Sequence, residues 1–181
     1  MTLIALGLAL WTVAHMWKRI SPASRARFGD RGKALVAIAS VVAIMLMVVG
    51  YRGADGTFYW GRSTILVGIN NILMVVAFYL FAASGAKTKI TKTIRHPQLT
   101  AIIVFSVAHL LVNGDTPSFL LFGGLLVWAV AEIIVINRAE GPRGPYHDVP
   151  VRKEVTAVVA TVVVFVIVGA IHALLGYNPF G

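Results

Sequence analysis

Apolar residues come in six long runs, at 3–17, 34–51, 63–86, 97–113, 116–137 and 155–175, with short polar stretches between them. About 20 mostly apolar residues span a hydrocarbon layer about 30 Å thick, and lipid gives an open backbone nothing to bond, so each run reads as a transmembrane helix. The connections are short, with no repeat and no low-complexity tract. The pattern predicts an all-α fold, a polytopic membrane bundle of six transmembrane helices, with 1–181 as one domain.

Composition agrees. With 58% hydrophobic and 13% charged residues, a soluble fold would lack the polar surface to cover itself. Lys and Arg then set an orientation: six lie between Lys18 and Lys33, two between Arg52 and Arg62, four between Lys87 and Arg95, none from Asn113 to Thr116, and four between Arg138 and Lys153. The positive-inside bias puts the first, third and fifth loops in the cytoplasm and both termini on the other side, as in a bacterial inner membrane. A net charge of +9 in a soluble protein would suggest nucleic acid. Here the charges form collars at one membrane face, and anionic headgroups are the partner they imply. No basic stretch precedes the first run and no small-residue cleavage site follows it, so it is expected to be a retained helix. The absence of cysteine excludes disulfides, thiolate metal sites and covalent haem attachment.

A site inside such a bundle must use the polar groups within the spans, which are costly there and need partners. These are His15 in the first run, Asn70 and Asn71 in the third, His96 and His109 in the fourth, Glu132 in the fifth and His172 in the sixth. Ser106 precedes His109 by three residues and Asn113 follows it by four, so all three share one helix face, where Ser106 or Asn113 could orient the imidazole. The alternative is an interhelical hydrogen bond that only joins helices. His15 is an interfacial histidine or, with a second histidine on another helix, one of two haem ligands. Arg95-His96-Pro97 opens the fourth run, where Lys89, Lys92 and Arg95 beside a helix start suit an anion, or simply a lipid-phosphate collar. Glu132 is protonated or paired, with an Asn of the third run as the expected partner. Asn113-Gly114-Asp115 reads as a tight turn, and Gly141-Pro142-Arg143-Gly144-Pro145-Tyr146 as a connector or a lid.

Ile94-Arg95-His96-Pro97, Ala108-His109-Leu110-Leu111-Val112-Asn113-Gly114-Asp115, Leu121-Phe122-Gly123-Gly124 and Val127-Trp128-Ala129 together resemble the NnrU family of bacterial membrane proteins. His15, the Arg-rich first loop and Gly50-Tyr51 fit as well, so the resemblance covers nearly the whole chain. It implies a role in nitrogen-oxide metabolism during denitrification. A relative of the family, 15-cis-zeta-carotene isomerase, uses haem b, and by that similarity the iron ligands fall on His15 and His109, with His96 and His172 as reserves; Arg95, His96 and Asn113 are the further candidates for binding the cofactor. The stretch from Arg52 to Trp60 also looks like a loop of that isomerase. The isomerase has Cys where this chain has Ser106, so an exchange between thiolate and histidine is impossible here. Depth complicates the pairing: at 1.5 Å per residue His109 lies about 20 Å along its helix from His96, which sets it nearer to His172, while His15 sits nearer to His96.

Two other readings stand beside the haem protein. Arg95, His96, Glu132, Tyr146 and Arg152 partly resemble the S-adenosylmethionine site of integral-membrane methyltransferases. A non-enzymatic assembly partner of a respiratory nitrogen-oxide reductase would use its histidines only to hold helices together.

Overall fold

The computed structural model describes residues 1–142 and 148–180. In chain order it forms α1 (Thr2–Ile20), α2 (Pro22–Arg27), α3 (Gly29–Arg52), β1 (Phe58–Trp60), α4 (Thr64–Ala86), α5 (Ile90–Thr93), α6 (Pro97–Val112), β2 (Gly114–Asp115), α7 (Thr116–Ser118), a π-helical turn (Phe119–Gly123), α8 (Gly124–Glu140) and α9 (Val151–Leu174). The fold is all-α apart from the short β1–β2 pair.

Among the described residues four helical stretches are long and apolar enough to cross a membrane: Gly29–Arg52, Thr64–Ala86, Thr116–Glu140 and Val151–Leu174. Their outer faces are bare hydrocarbon; α9 alone exposes Val158, Val159, Val162 and Val166. Apolar surface on that scale needs lipid around it, which makes this a membrane protein. Of the two other predicted crossings, α6 is apolar but has 16 residues, about 24 Å of helix. The 19 residues of α1 carry Lys18 and Arg19 in their last turn.

The chain divides into two compact units, Met1–Tyr59 with Gly114–Gly141, and Trp60–Asn113 with Pro142–Gly181. In the first, α1 lies along α3 at a spacing set by glycine. A Cβ on Gly7 would stand 2.6 Å from Met47 Cγ and 2.8 Å from the Ala43 carbonyl oxygen, and one on Gly50 would stand 2.8 Å from the Ile4 nitrogen. Small residues let the two backbones approach, which is how helices gain dispersion energy in lipid. Ile4 and Ala43 are fully buried in that seam. Near the far end of α3, Tyr51 Oη lies 2.8 Å from Ser118 Oγ, and Thr116 N donates to the Thr57 carbonyl at 3.0 Å.

The sequence suggests a plain turn at Asn113-Gly114-Asp115, but Gly114 and Asp115 are extended as β2. The reason is local. Asp115 caps α7, its Oδ1 accepting from Ser118 N at 2.8 Å, and a residue capping through its side chain typically has extended backbone, here φ −133 and ψ 163.

In the second unit α4 is central, with α6 and α9 against it. Ser63 starts α4 by accepting from Leu66 N, and Lys87 ends it in the left-handed region at φ 57. Phe78 meets Phe165 edge-on at 6.2 Å. Glu154, in the first turn of α9, takes the Lys89 amide at 2.6 Å and the Tyr79 hydroxyl at 3.3 Å, which fixes α9 to the end of α4. The Gly141 to Tyr146 stretch, read as connector or lid, lies mostly outside the described residues.

Candidate functional site

His15 is oriented by its own helix, because Nδ1 lies 2.9 Å from the Trp11 carbonyl oxygen. A carbonyl only accepts, so in a neutral ring the proton sits on Nδ1 and Nε2 keeps its lone pair. Spacing of four residues along α1 makes this contact possible. The Trp11 ring lies against the imidazole with centroids 4.0 Å apart. Trp128 of α8 meets it edge-on at 5.2 Å and meets Trp11 at 5.3 Å.

Glu132 follows Trp128 by one helical turn and is only 7% exposed. Its titratable neighbours are His15 and Arg19 of α1. Of the asparagines expected to pair with it, Asn70 gives its Nδ2 to Asn71 at 3.0 Å. Arg19 also forms an ion pair with Glu140, joining the ends of α1 and α8. Among the described residues, Trp11 Nε1, Trp128 Nε1 and Glu132 Oε2 are buried without a hydrogen-bond partner. Two donors and one acceptor thus stand unspent around one imidazole, where folding alone would normally satisfy them. His15 also lines a cavity of about 290 Å³, with Ala14, Lys18, Arg25, Lys33 and Val36.

The remaining predicted residues, His109, His96, Arg95 and Asn113, fall in the second unit. His109 repeats the geometry of His15, with Nδ1 3.0 Å from the Phe105 carbonyl oxygen and the Phe105 ring 4.2 Å away. Asn113 does not steer the imidazole as predicted. Its Nδ2 donates to the His109 carbonyl oxygen at 3.0 Å, because a side chain just past the helix end reaches the open carbonyls of the last turn. Ser106 is fully buried and its Oγ has no hydrogen-bond partner among the described residues. His172 has the same arrangement, Nδ1 2.8 Å from the Val168 carbonyl oxygen, and it acts electrostatically on His109, as the depth argument anticipates. His96 sits at the N-cap of α6, its carbonyl accepting from Thr100 N and Oγ1. Of the methyltransferase residues, Glu132 is in the first unit, Arg95, His96 and Arg152 are in the second, and Tyr146 lies outside the described residues.

Sequence reasoning did not single out Trp11 and Trp128 as parts of a site. Their four-residue spacings to His15 and Glu132 put each pair on one helix face, and that was the available signal. Among the described residues no group of three or more His, Cys, Asp or Glu could hold a metal ion. An iron porphyrin brings four nitrogens of its own and asks the protein for axial ligands only, so lone imidazoles with a committed Nδ1 fit it. A family model described as NnrU protein matches residues 3–179. Comparison with curated proteins and with solved structures finds no match.

Proposed function

The chain belongs to the NnrU family, and on that premise we propose that it is a bacterial inner-membrane protein that binds haem b and serves nitrogen-oxide metabolism in denitrification. In this reading α1 and α6 cross the bilayer as well, giving six spans. The alternating Lys and Arg collars put both termini on the non-cytoplasmic side and hold the other face to anionic headgroups.

The observation that carries the cofactor is a state shared by three imidazoles, of which the family resemblance selects His15 and His109 and leaves His172 in reserve. His15 and His109 each spend Nδ1 on the carbonyl one turn back, which fixes the tautomer and aims Nε2 away from the helix as the iron-binding atom. Haem held by His15 and His109 would supply one-electron chemistry. The protein's part is to fix each ring beside an aromatic side chain one turn back, Trp11 for His15 and Phe105 for His109. Ser106 has a hydroxyl where a thiolate would be needed, so ligation rests on imidazole alone.

An absorption spectrum tests this. Purified in detergent and supplied with haem, the protein should show a sharp Soret band that shifts on reduction, and His15→Ala or His109→Ala should weaken or broaden it. A folded wild-type protein that stays colourless refutes the reading. A band lost with His172→Ala and kept with His15→Ala would replace His15 by His172 in the ligand pair.

A further inference from the structure

We propose that the cavity bounded by α1, α2 and α3 is a discrete site for one phosphate-type oxyanion. Its walls carry Lys18, Arg25 and Lys33 with His15 at the inner side, and its volume of about 290 Å³ is several times what one water needs. Asp30 lies 2.9 Å from Lys33. Three cations against one carboxylate leave an excess of two positive charges.

Arg25 is held ready. Nη1 donates to the Gly29 carbonyl at 2.9 Å, and the guanidinium carbon stands 5.7 Å from the centre of the Trp17 ring. The group lies directly over Gly32, where a Cβ would come within 2.7 Å of Cζ. A guanidinium fixed in place offers a planar pair of donors to an oxyanion at small entropic cost. Lys18 has no hydrogen-bonded or ionic partner among the described residues, which leaves its ammonium available to a ligand. Ala14 and Val36 make the remaining wall apolar, which suits a phosphate that carries a hydrocarbon substituent. A lipid phosphate and free inorganic phosphate share the recognised chemistry. The site lies wholly in the first unit and stands whether or not haem binds.

It differs from a diffuse basic collar in one testable way. Arg31 is exposed in the same stretch but does not line the cavity. General attraction to anions would feel the loss of Arg31 as much as that of Arg25. Titration calorimetry on the full-length protein in uncharged detergent would use inorganic phosphate, dihexanoyl phosphatidic acid and dihexanoyl phosphatidylcholine. Wild type should bind one phosphate-type anion saturably. Arg25→Gln, Lys18→Gln and Gly32→Ala should each weaken binding about tenfold, the scale of one lost charged hydrogen bond. Arg31→Gln should change it less than about twofold, within the effect of a screened surface charge. Tighter binding of phosphatidic acid than of inorganic phosphate identifies a lipid site, and equal binding a free-ion site. Lys18→Gln, on an exposed side chain, keeps the test open if Gly32→Ala fails to fold. Unsaturable binding, or equal losses for Arg25→Gln and Arg31→Gln, overturns the proposal.

Discussion

Replacing Gly7 by alanine adds one methyl group to the seam between α1 and α3, where the space is already taken. The new Cβ would stand 2.6 Å from Met47 Cγ, 2.8 Å from the Ala43 carbonyl oxygen and 3.0 Å from the Met47 nitrogen. Met47 can swing its side chain aside, but two of these atoms are backbone, so α1 and α3 must separate. Overpacking of this kind costs about 1–3 kcal/mol. Alanine also gains about 0.8–1.0 kcal/mol of helix propensity in water, which blurs the raw measurement. Gly68→Ala supplies the reference, because a Cβ there meets nothing within 4 Å. Both glycines lie inside helices, so the propensity gain cancels in the comparison and the clash remains. Equilibrium unfolding in mixed micelles, followed by tryptophan fluorescence, should place Gly7→Ala about 1–3 kcal/mol below Gly68→Ala. Gly50→Ala, which would press on the Ile4 nitrogen at 2.8 Å, should fall with Gly7→Ala. If all three variants agree within about 0.5 kcal/mol, the scatter of ordinary surface changes, close glycine-mediated approach does not hold α1 to α3.

Glu154→Ala removes the acceptor of the Lys89 amide and the Tyr79 hydroxyl, a loss of about 1.5–3 kcal/mol for charged hydrogen bonds. Hydrogen exchange should show the Lys89 amide losing protection, and an unchanged rate there would refute the contact. Tyr51→Phe leaves the buried Ser118 hydroxyl without its 2.8 Å partner and should cost about 1–3 kcal/mol. A double-mutant cycle with Ser118→Ala should find the two effects coupled, and strict additivity would count against the bond. Asp115→Ala removes the cap on Ser118 N for about 1 kcal/mol, while Asp115→Asn should keep most of the stability in the same unfolding measurement.

Helix existence was legible because apolar length is a coarse signal that survives local detail. Helix limits were less so. The prediction starts the second helix at residue 34, whereas α3 begins at Gly29, since Asp30, Arg31 and Lys33 are polar yet helical beyond the apolar stretch. Between Ser21 and Phe28 a short helix forms with Pro22 at its first position, a place where proline costs nothing. Residues 119–123 read as ordinary helix because a π turn leaves no mark on hydropathy. Of the site, the imidazoles were legible from their cost in lipid. Their bonds to carbonyls were not, because backbone acceptors have no residue identity. Trp11 lies one turn back from His15 on the same helix, but Trp128 and Glu132 come from α8, more than a hundred positions away, and no local spacing connects them to it.

The widened turn at Phe119–Gly123 works as a phase adjuster for everything after it. Successive residues of an α-helix point about 100° apart, and a π turn holds an extra residue that resets that count. Deleting one residue there would rotate Trp128 and Glu132 together by about 100°, carrying the indole out of its 5.2 Å approach to His15. The aim of that face of α8 is thus decided a full turn upstream, by residues that touch neither the imidazole nor the carboxylate.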